Sequence, residues 1–235
     1  MNPPLRVADL VAGHSSVPAV RNLSLDVERG QIVALLGPNG AGKSTTLDTI
    51  CGLLPRIGGT VTFVGRSIDS LRNAAASRIA YVPESRGIFR QLTVDENLRL
   101  RARSRKLVDE KYEQFPVLGR LRGRQAGLLS GGEQQLLAIV CALSLDAELV
   151  LIDEMTMGLA PAVVHELAKV VRGAASQGVA VLFVEQHVHV ALELADRAYV
   201  INHGECVIEG TGAELLERID ELSASYFQGD LSVSG

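Results

Sequence analysis

Apolar positions in this chain follow two alternating periods. Strand-like runs open it at Leu5 to Val11, Val20 to Val27 and Gln31 to Leu36, and apolar strands then alternate with helical patterns to about residue 217. Buried strands are expected at Val61 to Val64, Ile79 to Val82, Leu149 to Ile152 and Val179 to Val184, each bounded by turn, polar or charged residues, as in a sheet covered on both faces. The alternation lapses from about Glu84 to Ala147, which reads as consecutive helices, among them Val94 to Arg105 and Gly132 to Leu145. The pattern predicts a single α/β domain over residues 1–222 with a helical subdomain inserted at about 84–147. A poorly ordered tail is expected over 223–235.

Composition narrows the function classes. With 235 residues, 47% of them hydrophobic, the chain can bury a core without covalent staples. Its three cysteines, Cys51, Cys141 and Cys206, are odd in number and far apart, so neither a disulfide framework nor a metal knuckle is expected, and a reducing, cytosolic compartment fits. The N-terminus has no charged start followed by an apolar signal core. The longest apolar run, Leu136 to Leu145 broken by Ser144, falls short of the roughly 18 residues of a membrane span. A membrane role would therefore come through partners. A net charge of −4 offers no basic field for nucleic acid. Arg99, Arg101, Arg103, Arg105, Lys106, Arg120, Arg122 and Arg124 make the inserted region locally basic; spacings of two spread them around a helix and favour a solvated surface, with a face toward lipid headgroups or a membrane partner as the alternative.

Candidate chemistry begins at Gly37-Pro38-Asn39-Gly40-Ala41-Gly42-Lys43-Ser44-Thr45, placed between the strand ending at Leu36 and a helical run. Glycines let backbone amides turn inward around an anion, and the helix N-terminus adds positive potential. Lys43 can reach the β and γ phosphates of a nucleotide, and the Ser44 hydroxyl can ligate Mg²⁺. A second apolar strand ends in Asp153-Glu154; alternation sends the two carboxylates to different sides, so Asp153 suits the Mg²⁺ shell and Glu154 suits activation of the attacking water. Ser130-Gly131-Gly132-Glu133 opens a helix with a capping box whose glycines leave amides accessible, a second anion site on a different face. Two such sites that cannot both reach one nucleotide suggest head-to-tail pairing of two chains.

In this order and spacing, GPNGAGKST, LSGGE and LVLIDE resemble the nucleotide-binding subunits of ABC transporters over essentially the whole chain. The resemblance implies a P-loop NTPase core with a mixed sheet, an N-terminal antiparallel β subdomain and the inserted helical subdomain. It implies ATP held with Mg²⁺ between the Lys43 loop of one subunit and the Ser130 motif of another, with hydrolysis coupled to transport. By the family pattern His14 lies where a ring stacks on adenine, and Glu84 lies where many members carry a glutamine near Mg²⁺. Gln186 falls at the family's γ-phosphate histidine, with His187 as the alternative, and Met157 to Pro161 at a subunit-contact loop. Pro83-Glu-Ser-Arg-Gly-Ile-Phe89 and the segments at Leu92 to Leu98, Met157 to Pro161 and Val184 to His187 look like the shorter ATPase of branched-chain amino-acid importers. That similarity implies a second, different ATPase subunit, with self-pairing as the alternative in isolation. It also implies two membrane permease subunits, an external binding protein, and a peripheral place on the cytoplasmic face of the inner membrane. Urea or short amides are the alternative cargo, and a soluble switch ATPase is the rival class.

Overall fold

The computed structural model describes residues 4–14 and 17–226. Two sheets and a helical layer carry the molecule. The smaller sheet is antiparallel and pairs β1 (Leu5–Ala12) with β2 (Val20–Val27) on one side and β4 (Gly58–Phe63) on the other, with β5 (Arg66–Ser67) at the edge. The larger sheet has the order β10-β9-β3-β8-β7-β6. Its strands are β3 (Ile32–Leu36), β6 (Ile79–Val82), β7 (Leu149–Asp153), β8 (Ala180–Glu185), β9 (Arg197–Asn202) and β10 (Glu205–Thr211). All pairings in it are parallel except β9 with β10, which makes the sheet mixed.

Strands β3, β7 and β8 are buried at every position, the consequence of apolar cover on both faces. One face packs Val150, Ile152, Val181 and Phe183 under α6 (Gly131–Leu143), α7 (Pro161–Ser176), α8 (Val188–Leu194) and α9 (Gly212–Glu217). The other packs Leu149, Leu151, Leu182 and Val184 against α1 (Lys43–Ile50), next to α2 (Leu71–Ala76), and against the antiparallel sheet through Leu5, Leu23, Val61 and Phe63. Full burial of one such side chain contributes roughly 1.5–3 kcal/mol, so the double-sided core is the main source of rigidity behind the strand ends.

The inserted region holds α3 (Val94–Arg101), α4 (Arg105–Gln114) and α5 (Pro116–Arg120) around a third apolar cluster of Val94, Leu98, Val108, Leu118, Leu137 and Val140. Helix α6 joins it to the core: Leu137, Val140 and Cys141 face this cluster while Ala138, Ile139 and Ala142 face the sheet. The helix expected over Val94 to Arg105 ends at Arg101, because Ala102 takes an extended conformation and the Ser104 hydroxyl caps a new helix by accepting from Leu107 N at 3.3 Å. The helix expected from Gly132 begins one residue earlier. Arg99 pairs with Asp95 at 2.7 Å and Arg103 with Asp146 at 3.4 Å, solvated surface pairs of small energetic weight. Cys51 and Cys141 are buried thiols that burial pushes up to about 11 and about 12, and Cys206 is half-buried. The last helix among the described residues, α10 (Ile219–Tyr226), runs past Leu222, after which the tail was expected; residues 227–235 of that tail lie outside the described residues. Among the described residues no helix is long and apolar enough to cross a membrane.

Candidate active site

Parallel register decides which loops meet. Leu36 at the end of β3 pairs with Glu185 at the end of β8, and Val184 pairs with Asp153 at the end of β7. Gly37, Gln186 and Glu154 therefore leave three adjacent strands at the same edge of the sheet, the carboxyl edge where open α/β sheets bind ligands.

After β3 the chain turns through Gly37 to Gly42 into α1. Gly42 is the N-cap of α1 in the left-handed region at φ 102°, and a Cβ there would lie 2.7 Å from the Ala19 carbonyl oxygen, so only glycine fits. That contact also lays the Ala19 end of the loop after β1 against the phosphate loop. His14 is exposed near the start of this connection. Lys43 is 6% exposed, and its ammonium donates to the carbonyls of Gly37 at 2.8 Å and Pro38 at 3.1 Å, folded across the mouth of the loop. The first amides of α1 have no carbonyl within their own helix to bond, so the loop presents N–H donors and a cation around one concavity.

Ser44 Oγ donates to Asp153 Oδ1 at 3.2 Å, and the Tyr81 hydroxyl donates to Asp153 Oδ2 at 3.4 Å. Asp153 is 4% exposed, and burial is the main cause that holds its carboxyl above the usual range. A hydroxyl and an under-compensated carboxylate side by side form the hard-oxygen donor pair that suits Mg²⁺, which takes few protein ligands and completes its shell with water and phosphate oxygens. Among the described residues no group of three or more His, Cys, Asp or Glu side chains is arranged to hold a metal. Glu84, the third expected ligand, stands exposed on the turn after β6 and shares no hydrogen bond with Ser44 or Asp153.

Strand alternation reaches only as far as Asp153, because Glu154 adopts a left-handed backbone at φ 51°. That conformation costs a residue with a side chain roughly 1–2 kcal/mol and persists when neighbours hold it. The Gln186 amide donates to Glu154 Oε1 at 2.5 Å, and Glu154 N donates to Val184 O at 3.2 Å. Of the two candidates at that turn, Gln186 reaches the carboxylate, while His187 is exposed at the N-cap of α8. Glu154 is half-buried, and a carboxylate left partly open in this way has the chemistry of a proton acceptor.

Ser130 to Glu133 form a separate unit that shares no hydrogen bond with the Gly37 loop. Ser130 Oγ accepts from Glu133 N at 3.3 Å, and Glu133 Oε2 accepts from Ser130 N at 2.8 Å, the reciprocal capping box. Glu133 was expected among the nucleotide ligands, but its carboxylate is engaged in this cap. The Ser130 hydroxyl proton and the Gly131 and Gly132 amides remain the donors at an exposed helix end. Gly132 has a packing reason of its own, since a Cβ there would meet Val163 of α7 at 2.4 Å.

Three side chains escape the sequence reading. Tyr81 and Asp153 share a sheet face, but only the adjacency of β6 and β7 makes them meet. Arg86 donates to Gln134 Oε1 at 2.6 Å and Gln135 Oε1 at 3.2 Å, tying the Glu84 turn to the capped helix. Glu185 is 1% exposed at the end of β8; a carboxylate closing an apolar strand beside Gln186 was its only signal.

The model of the ABC transporter family matches residues 20–157. The chain is 40% identical over 211 residues to the high-affinity branched-chain amino acid transport ATP-binding protein BraG of Pseudomonas aeruginosa, covering 86% of this chain and 91% of that one. It is 36% identical over 222 residues to the probable branched-chain amino acid transport ATP-binding protein LivF of Archaeoglobus fulgidus, covering 91% and 94%. It is 33% identical over 237 residues to the lipopolysaccharide export system ATP-binding protein LptB of Haemophilus influenzae, covering 96% and 97%. The fold superposes with a TM-score of 0.84 and 25% identity on the ADP conformation of an ATP-binding cassette of an ABC transporter, over 96% of this chain and all of that one.

Proposed function

Because this chain belongs to the ABC transporter family, as an ATP-hydrolysing subunit, we propose that it energises uptake of branched-chain amino acids. Its place is the cytoplasmic face of the plasma membrane, bound to two permease subunits and paired with a second ATPase chain. The observation that carries the catalytic part is the meeting of the Lys43 loop, the Ser44–Asp153 pair and the Gln186–Glu154 pair at one sheet edge. In this reading the loop amides and Lys43 hold the phosphates of ATP, with Lys43 giving up the Gly37 and Pro38 carbonyls for phosphate oxygens. His14 lies against the base, and Ser44 and Asp153 hold Mg²⁺, with Glu84 on the same side. When bound, Mg²⁺ screens the charge that develops between the β and γ phosphates. Glu154 takes the proton of the attacking water while Gln186 fixes the carboxylate and senses the γ phosphate. Ser130, Gly131 and Gly132 donate to the nucleotide of the paired chain, because they lie on an element apart from this chain's own phosphate loop. Likeness to BraG and LivF supports the cargo.

Purification of the tagged chain from its native membranes tests the assignment. Two membrane subunits and a second ATPase are expected, and the reconstituted complex should show ATP turnover stimulated by leucine, isoleucine or valine with the external binding protein. Stimulation by urea or an amide changes the cargo alone, and stimulation by lipopolysaccharide reverses the direction of transport. Recovery with ribosomes and no membrane protein overturns the transporter role. In the same complex Glu154→Gln is expected to keep ATP binding while turnover falls about 10²–10⁴-fold. Lys43→Ala should weaken ATP binding about 10–100-fold, the loss of charged hydrogen bonds to phosphate.

A further inference from the structure

Glu185 is a carboxylate buried to 1% exposure that none of the roles above uses. A charge at that depth must be met by donors. Two backbone amides meet it, Thr156 N at 2.7 Å from Oε1 and Gln186 N at 3.3 Å from Oε2, with the Thr156 side chain and His187 also favouring its charge. Thr156 lies two residues beyond Glu154, and Gln186 donates its side-chain amide back to Glu154. The residues 154–156 and 185–186 thus close a ring, two arms of which are covalent chain and two hydrogen bonds.

We propose that Glu185 is a positioning residue for hydrolysis, tying the Thr156 loop to the Gln186 turn so that Gln186 and Glu154 stay in contact. The inference rests on Glu154 acting as the base. Glu154 sits in the left-handed region at φ 51°, a conformation that persists when neighbours hold it, and the ring joins the Glu154 N–Val184 O bond in doing so. One carboxylate has acceptor sites for two loops at once, which a hydroxyl or an amide oxygen on a single side does not match. The same ring hands any movement of Gln186 to Thr156 and so to Met157 to Pro161, which continue the chain from it.

The test uses the membrane complex with wild type, Glu185→Gln, Glu185→Ala, Gln186→Ala and the Glu185→Ala/Gln186→Ala pair. Glu185→Ala is expected to lower kcat about 10-fold with the KM for ATP within about twofold of wild type. The double variant should be no more than about twofold slower than the slower single one, because both residues act through Glu154. Glu185→Gln, which keeps the volume, should show a smaller loss of kcat at wild-type ATP affinity, and it carries the test if the alanine variant does not fold. A wild-type kcat in either Glu185 variant, a loss confined to KM, or losses that multiply in the double variant would overturn the proposal and leave Glu185 a satisfied core carboxylate. Wild-type turnover in Glu154→Gln would instead remove the base assignment on which it stands.

Discussion

At Asp153 burial favours the proton while the Mg²⁺ role proposed for it favours the charge. A folded-state pKa raised by burial means that this group's contribution to stability is fully present below the unfolded carboxylate value of about 3.9 and is lost as pH rises through the higher folded value. Above the unfolded value the nucleotide-free chain is therefore destabilised by the burial of this group. Asp153→Asn keeps an acceptor for Ser44 Oγ and removes that charge, so its urea midpoint at pH 7 should lie above wild type, with the advantage shrinking as pH falls toward 4. Turnover should be lost in the same variant, the usual opposition of stability and function at a site. An equal or lower midpoint at pH 7 would contradict the account. Lys43, Ser44, Asp153 and Glu154 were legible as candidates at this scale, since short strings that carry their own backbone logic place them. Tyr81 and Glu185 were not, because their partners come from strands whose neighbours no local string specifies.

Capping boxes recur where helices must start sharply. Thr93, Ser130 and Thr211 each accept from the third residue of a helix, while Glu96, Glu133 and Glu214 bond back to the cap. Removing one cap hydroxyl costs about 0.5–2 kcal/mol. Thr211→Ala should show that loss in urea unfolding with ATP turnover unchanged, whereas Ser130→Ala should show a similar loss of stability together with a fall in turnover. If the two variants behaved alike, the Ser130 hydroxyl would be a cap and nothing more. Elements with strong period or strong caps were readable, including β3, β7 and α6. The continuous helix expected over Val94 to Arg105 was not realised, because Ser104 offers the backbone a better start than Ala102 offers a continuation. Strands β9 and β10 escaped individual prediction: the Glu205 to Thr211 strand alternates exposed and half-buried positions at the sheet edge, and so lacks the apolar run that betrays a central strand.

At the scale of the whole molecule, the class of sheet followed from the alternation of elements, but its order did not, since spatial neighbours in a parallel sheet are far apart in sequence. The groove of about 1050 Å³ between α7, α8 and α9, lined by Pro161, Val164, Lys169, Ala195 and Leu216, is a product of that order and had no signature in the sequence. The placement of β3 between β8 and β9 has a consequence in time as well as space. The strand that carries the phosphate loop is made early, yet both of its hydrogen-bonding neighbours emerge late, roughly 8–30 s afterwards at about 5–20 residues per second. A chain ending at Gly178 is expected to show neither cooperative unfolding nor ATP binding, checked by urea titration and nucleotide fluorescence. During synthesis β3 therefore waits as an unpaired apolar segment, and slowing translation beyond residue 178 should lengthen its exposure and raise the demand of this chain for chaperones.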